Sequence, residues 1–302
     1  ASPSARSTTP ANQLGPILQR AGAAVTLKPS AYRDGTVGVL GSQNTDPNSI
    51  PALTVAAEQY NMLARLAAAG QAPELRIELT TRYYNDDPHS YNVIAEIPGT
   101  DPVLKDEIVL VGAHLDSWHT ANGATDNGDG AITAMEALRI LAALKVQPRR
   151  TIRVALWSGE EQGLLGARAY IAKYLPDQAS RDKLAVYLND DPGSGKTLGF
   201  YMEGNTAAKK IFDSWLEPFK ELGATRNIME GIGSTDHVPF NEINVPGFNV
   251  IKDFDAYDMR TRHTNADYPE RMSEDELKQS AIILASFAWS AAQRTEKIPR
   301  AK

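Results

Sequence analysis

A strand, a glycine-rich acidic loop and a helix follow one another between residues 107 and 144, and this order constrains the fold more than any other feature. Glu107 to Val111 is an apolar run that predicts a buried strand. The loop after it carries His114, Asp116 and Asp126 among glycines, and residues 131–144 are strong helix formers. Because open α/β sheets carry their sites at the carboxyl ends of strands, this loop is a candidate site.

The alternation of strands and helices continues along the chain. Further strands are predicted at residues 91–97, 151–157, 184–188, 197–201 and 247–251. Further helices are predicted at residues 163–174, 207–222 and 274–292. This order predicts an α/β fold, a three-layer α/β/α sandwich with a mostly parallel mixed sheet.

The first part of the chain predicts a smaller α/β unit. We expect a strand at residues 36–40, a helix at 52–69 and an alternating strand at 74–82. Turn residues at 85–90 predict a boundary, with one domain at 1–88 and a second at 89–302. The polar start of the chain, which begins with Ala1, is expected to be loose and predicts an exported protein, secreted or periplasmic, whose signal peptide is absent.

The composition restricts which metal ligands and which binding partners the chain can have. The chain has no cysteine, so a metal would have to be held by histidines and carboxylates. Its net charge of −6 argues against nucleic acid or an anionic membrane as a partner. No apolar run reaches the length of a transmembrane helix. We therefore expect no nucleic-acid partner and no membrane.

Four further polar clusters lie C-terminal to the loop of residues 114–126, and most of them follow a predicted strand. They are Glu160 with Glu161, Asp190 with Asp191, Asp236 with His237, and His263 with Asp267. Taken singly, each is typical of a solvated helix start or a turn. Together they offer the nitrogen and oxygen ligands that two zinc ions sharing a carboxylate require, about five in number.

Read jointly, four stretches resemble a known family. AHLDS…GATDNGDG, WSGEEQGLLGARAYI, NDDPGSG and RHTNADYPERM are similar in order and spacing to the co-catalytic zinc exopeptidases of family M28, and closest to its carboxypeptidase Q branch. The resemblance implies a zinc aminopeptidase-like fold, two Zn²⁺ per chain and a peptide substrate. The stretches GTVGVL, SIPALTVAAEQYNMLARLAAAG and ELRIELTTR resemble the end of a protease-associated domain, which implies a small N-terminal lid fragment.

The same resemblance assigns roles by position. It implies five metal ligands: His114 and Asp191 for one zinc, Glu161 and His263 for the other, and Asp126 bridging both. Glu160 would be the general base and acid, and Asp116 would support His114 through a hydrogen bond to its imidazole. Asp190 could replace Asp191, whereas His119 and His237 are not expected to bind metal. The Asp126–Asn127 peptide is a candidate cis bond.

Several alternatives stay open at this level. An aminopeptidase pairs the substrate ammonium with a carboxylate, while a carboxypeptidase or dipeptidase needs a cation such as Lys196, Arg260 or Arg262 for the terminal carboxylate. A glutaminyl cyclase-like acyltransferase would use one zinc, and a receptor-type ectodomain would have lost ligands. A homodimer is possible, because Trp289 and the apolar stretch around it could form either core or interface.

Overall fold

The computed structural model describes residues 11–39, 50–82, 84, 86–191, 193–252 and 257–301. The chain forms two compact units, Ala1–Thr81 and Arg82–Lys302. The first contains helix α1 (Ala11–Arg20), strand β1 (Thr26–Pro29), strand β2 (Ala52–Val55) and helix α2 (Ala57–Ala68). Strands β1 and β2 pair in parallel, so this unit is a small α/β arrangement.

Three predictions for the first unit are wrong in detail. Residues 36–39 form no strand, although Gly38 makes a single bridge, and Leu40 lies outside the described residues. The helix expected from residue 52 begins at Ala57, because residues 52–55 pair with β1 instead. Residues 74–82 alternate as a strand does but pair with no strand among the described residues, and Leu75 and Leu79 are each half exposed. Alternation indicates a strand only where a neighbour supplies hydrogen bonds and a surface to cover.

The second unit is built on a six-stranded sheet. Its strands are β3 (Val93–Ile97), β4 (Ile108–His114), β5 (Thr151–Trp157), β6 (Leu184–Asn189), β7 (Thr197–Phe200) and β8 (Gly247–Lys252). Their order is β3-β5-β4-β6-β8-β7. The four central strands are parallel, and the two edge strands run antiparallel to their neighbours. The predicted mostly parallel mixed sheet is confirmed.

Helices cover both faces of this sheet. They are α3 (Asp129–Ala143), α4 (Leu165–Tyr174), α5 (Gln178–Asp182), α6 (Thr206–Leu216), α7 (Val238–Glu242) and α8 (Glu274–Gln293). Successive residues of a strand point to opposite faces, so Val109 and Val111 pack with α3, α6 and α8 while Leu110 packs with α4 and α7. The result is the predicted α/β/α sandwich. Trp289 packs against the hydrophobic core on the face of the sheet covered by α3, α6 and α8.

The arrangement of the parallel strands decides where the polar clusters lie. The carboxyl ends of β4, β5, β6 and β8 share one edge of the sheet. His114 ends β4, Glu160 and Glu161 follow β5, and Asp190 and Asp191 follow β6. Residues distant in sequence are thereby brought to one place. No helix in the described part of the chain is long and apolar enough to span a bilayer.

Candidate metal centre

A first cluster of possible ligands forms around the imidazole of His114, which is almost fully buried. Its Nε2 lies 3.2 Å from Oδ1 of Asp126 and 3.6 Å from Oδ1 of Asp191. The three candidate ligand atoms lie within 4.8 Å of one another. The structure therefore brings together the residues that the resemblance assigned to one zinc.

A second cluster forms around His263 and shares Asp126 with the first. Nε2 of His263 lies 3.1 Å from Oδ2 of Asp126 and 3.1 Å from Oε2 of Glu161. The other carboxylate oxygen of Glu161 is buried and has no hydrogen-bond partner among the described residues. Asp126 thus turns one oxygen to each histidine, which is the geometry of a carboxylate shared by two sites.

Neighbouring side chains fix the orientation of Asp126. The hydroxyl of Tyr257 donates to Oδ2 of Asp126 at 2.7 Å. The carboxylate of Asp267 accepts the main-chain N–H of Thr125 at 2.6 Å and that of Asp126 at 3.1 Å. The Asp126–Asn127 peptide is cis, as the resemblance implied. The shared carboxylate is therefore held from its side chain and from its backbone.

Asp116 has a different contact from the one that was expected. Its main-chain oxygen, not its carboxylate, contacts Nδ1 of His114 at 2.9 Å. The carboxylate lies 3.8 Å from the same nitrogen, beyond hydrogen-bond distance. Instead it accepts the main-chain N–H groups of Glu160 and Glu161 at 3.0 and 3.2 Å. The side chain of Asp116 therefore orders the segment after β5 rather than the imidazole.

Glu160 is buried beside both clusters but belongs to neither. Burial, together with the negative charge of Asp191, raises the pKa of its carboxyl to about 9 in the metal-free protein. An acid that is kept protonated by neighbouring carboxylates will ionise once positive charge is placed beside it. This carboxyl can therefore accept a proton only when the centre carries cations.

The same crowding of carboxylates favours the charged form of the two histidines, because it raises the pKa of both imidazoles. Burial opposes the charged imidazole of His263, but Asp126 and Glu161 raise its pKa to about 9. Burial also opposes the charge on His114, and Asp191 and Asp126 hold its pKa well above the ordinary value. Burial disfavours ionised Asp126, yet hydrogen bonds from both imidazoles keep the pKa of its carboxyl well below the ordinary value. In the metal-free protein, the positive charge of the protonated imidazoles therefore balances the negative charge of the carboxylates, as a bound metal would.

The neighbouring carboxylates of Asp190 and Asp191 contact different partners. Asp191 contacts His114, whereas Asp190 faces Lys252, whose Nζ is 3.3 Å from its Oδ1. Burial raises the pKa of Asp190 to about 6, although Lys252 acts against this rise. The structure therefore favours Asp191 over Asp190 as a candidate ligand.

The remaining histidines and cations lie outside both clusters. His119 is exposed, and Nε2 of the buried His237 contacts Oε1 of Glu203 at 3.1 Å. The three cations considered for substrate recognition are exposed: Lys196, Arg260 and Arg262. None of these residues belongs to a group of possible metal ligands in the described part of the chain.

Three residues of the centre were missed or left without a role by sequence reasoning. Tyr257 and Lys252 were not singled out, and Asp267 was noted without a function. A lysine that ends an apolar strand is a signal that could have been used, because a buried ammonium requires carboxylate partners. Nothing in the local sequence marks Tyr257.

A small open pocket adjoins the second cluster, with Glu161, His263 and Asp267 among its lining residues. The indole of Trp118 also lines it and meets the ring of His263 edge-on at 6.3 Å between centroids. Among the described residues, no lysine or arginine lines this pocket.

The residues fit a pair of zinc ions. Zinc in proteins is bound by histidine nitrogen and carboxylate oxygen as well as by cysteine, and this chain offers only the first two. The orphaned buried oxygen of Glu161 and the divided carboxylate of Asp126 are both explained by cations between these atoms. Each of the two groups could hold a metal ion, and Asp126 belongs to both.

The chain is similar in sequence to known proteins. Residues 92–288 match the model of peptidase family M28. Carboxypeptidase Q of Mus musculus is 31% identical over 251 residues, which are 83% of this chain and 52% of that protein. Leupeptin-inactivating enzyme 1 of Streptomyces exfoliatus is 27% identical, over 69% of this chain and 50% of that protein. The chain spans about half the length of the curated relatives it matches.

Solved structures show the same fold. The M28 peptidase precursor of Shewanella amazonensis has a TM-score of 0.74 at 27% identity, over 93% of this chain and 63% of that one. A zinc aminopeptidase of Bacillus subtilis has a TM-score of 0.65 at 21% identity, over 93% of this chain and 66% of that one. The second similarity bears on the fold alone.

Proposed function

Because the chain belongs to peptidase family M28, we propose that it is a zinc-dependent exopeptidase that hydrolyses dipeptides or short peptides. The observation that carries the proposal is Asp126, which presents one carboxylate oxygen to His114 and the other to His263. This shared ligand supports the proposal that each chain binds two zinc ions, one with His114 and Asp191 and one with Glu161 and His263.

The metal and the protein would supply different parts of the reaction. Zinc bound at these ligands would polarise the scissile carbonyl and lower the pKa of a water molecule. Glu160 would remove a proton from the attacking water and deliver it to the leaving amine nitrogen. Asp116 would keep Glu160 in place, because it accepts the main-chain N–H of that residue at 3.0 Å. No serine or cysteine nucleophile is needed for this chemistry.

The pocket supports recognition of a free ammonium group over a terminal carboxylate. Asp126, Glu161 and Asp267 bring carboxylates to its lining, and no lysine or arginine lines it among the described residues. With Asp126 and Glu161 bound to zinc, Asp267 is the carboxylate of this lining that would be left to pair with a substrate ammonium, and no lysine or arginine of the described lining would pair with a substrate carboxylate. An unblocked dipeptide should therefore be cleaved, its amidated form tolerated and its N-acetylated form rejected.

The test combines a metal count with a panel of dipeptides. Protein purified without chelator should hold about two zinc ions per chain, as a shared-carboxylate site requires, and should lose hydrolysis when a chelator is added. About one zinc without hydrolysis would instead favour cyclase chemistry and contradict the proposal. Cleavage of N-acetylated but not amidated dipeptides would reverse the assignment of the recognised end. Export and homodimer formation stay predictions from the sequence.

A further inference from the structure

Lys252 ends strand β8 at the sheet edge that carries the metal centre, and its side chain is fully buried. Its Nζ lies 2.7 Å from Oδ1 of Asp129 and 3.3 Å from Oδ1 of Asp190, two carboxylates that are themselves buried. Its Nζ also donates to Oγ of Ser280 at 3.3 Å. A buried ammonium is costly to desolvate, so a fold that keeps one depends on these partners being in place.

Both partners of Lys252 are close in sequence to candidate metal ligands. Asp190 immediately precedes Asp191, and Asp129 lies in the first turn of α3, which follows Asp126 by a short segment. Asp126 and Asp191 are the two carboxylates that contact His114. One ammonium therefore ties down the backbone next to each carboxylate of the first cluster.

The two backbone segments are also in direct contact. Nδ2 of Asn127 donates to the main-chain oxygen of Asp190 at 2.9 Å, and its Oδ1 accepts the N–H of Gly130 at 3.0 Å. A Cβ atom at Gly130 would lie 2.1 Å from the main-chain oxygen of Asp190, so only glycine allows this approach. Without a cation between them, Asp129 and Asp190 would repel each other across this contact.

We propose that Lys252 is a positioning residue of the metal centre, which holds Asp126 and Asp191 at His114 by pairing with the carboxylates beside them. The inference rests on the proposed two-zinc site. Its effect is larger at the His114 site, because both carboxylates of that group are held in this way, whereas the group of Glu161 and His263 shares only Asp126. Lys252 therefore sets zinc affinity mainly at the His114 site.

The test is Lys252→Met, which removes the charge and keeps the length of the side chain. Zinc is titrated into the metal-free protein against a chelating dye, and the two affinities are compared with those of the wild type. Loss of a residue that orients ligands typically weakens metal binding by about 10–100-fold, which we expect at the His114 site, with a smaller loss at the site that shares only Asp126. A uniform structural defect would not separate the two sites.

Arg150→Met is the matched control. Arg150 is as buried as Lys252 and pairs with Glu107 at 2.7 Å, but it precedes β5 and so lies at the opposite edge of the sheet. This variant should lower the melting temperature and leave both zinc affinities within about threefold of the wild type. A selective loss of zinc affinity in this control as well would overturn the proposal.

A second variant covers the case in which Lys252→Met does not fold. The double variant Lys252→Met/Asp129→Asn removes one charge of each sign, so it should be more stable than the single variant while still binding zinc weakly at one site. Wild-type affinity at both sites in either folded variant would overturn the positioning role and leave the proposed function intact. A wild-type protein that fails to bind two zinc ions would overturn both.

Discussion

Replacing Glu160 by glutamine separates the proton chemistry of this side chain from its packing. Glutamine has almost the same shape as a protonated glutamate but cannot accept a proton at neutral pH. Glu160 contributes no atom to either group of candidate ligands, and its segment is held through its main-chain N–H by Asp116. The variant should therefore keep both zinc ions and the surrounding fold.

The expected loss of activity follows from the role of a general base. Such a group contributes about 10²–10⁴-fold to the rate, so kcat/KM should fall by that factor, equivalent to about 3–5 kcal/mol of transition-state stabilisation. The loss should appear in kcat, because Glu160 is not among the residues that line the pocket.

The same substitution should stabilise the metal-free protein. The pKa of Glu160 is raised from 4.5 to about 9 in the fold, so the wild type has its full stability below pH 4.5 and loses it as the pH rises towards 9. At pH 7 that loss is up to about 3 kcal/mol, at about 1.36 kcal/mol per pH unit. Glutamine undergoes no such titration, and the variant should unfold at a higher denaturant concentration than the wild type.

The assay measures zinc content, dipeptide hydrolysis and denaturant unfolding in the presence of chelator on the same preparations. Glu242→Gln is the control, because it makes the same chemical change in an exposed carboxylate that pairs with Arg168. It should leave hydrolysis and zinc content unchanged. The reasoning is refuted if Glu160→Gln keeps more than about a tenth of the activity with zinc bound, since a general base is worth at least about 10²-fold. Loss of zinc along with activity would refute it equally.

Three further outcomes are expected. Asp126→Ala should lose both zinc ions together with activity, because both clusters share this carboxylate, and retention of two ions per chain by elemental analysis would contradict the shared role. Zinc affinity should rise with pH up to about 9, because the raised pKa of His263 lies there and its imidazole must lose its proton to bind metal. Competition titrations between pH 6 and 9 would measure this dependence, and an affinity that does not change with pH would contradict the prediction. Arg150→Met should lower the free energy of unfolding by about 1–3 kcal/mol, because Glu107 would keep only Lys297 as a partner and the main-chain oxygens of residues 294 and 295 would lose their donor. A denaturant midpoint equal to that of the wild type would count against this.

Most of the larger unit could be predicted from the sequence, because its core strands are apolar runs that alternate with helices. The ends of elements were less predictable, since pairing decides them. Strand β4 was expected to end at Val111 but continues to His114, because residues 112–114 still pair with β5. In the smaller unit, pairing of residues 52–55 with β1 overrides the helical pattern that begins there. Local pattern carries no information on such partners.

The candidate site shows the same division. The resemblance of four stretches to family M28 implied the candidate ligands, and the structure brings these residues together. The contacts of Asp116 could not be predicted, because its carboxylate turns to the segment after β5. Lys252 and Tyr257 escaped notice for a related reason, since their roles come from tertiary packing and not from any motif.

The gathering of candidate ligands from four parallel strands has a consequence for how the protein would mature. His114 and His263 lie in distant parts of the chain, and parallel strands pair only through long crossover connections that close slowly. The first group of candidate ligands spans residues 114–191 and the second spans residues 126–263, so no short segment carries a complete group as a small zinc finger does. We therefore expect the strands to pair around their own crowded carboxylates first and to capture metal afterwards.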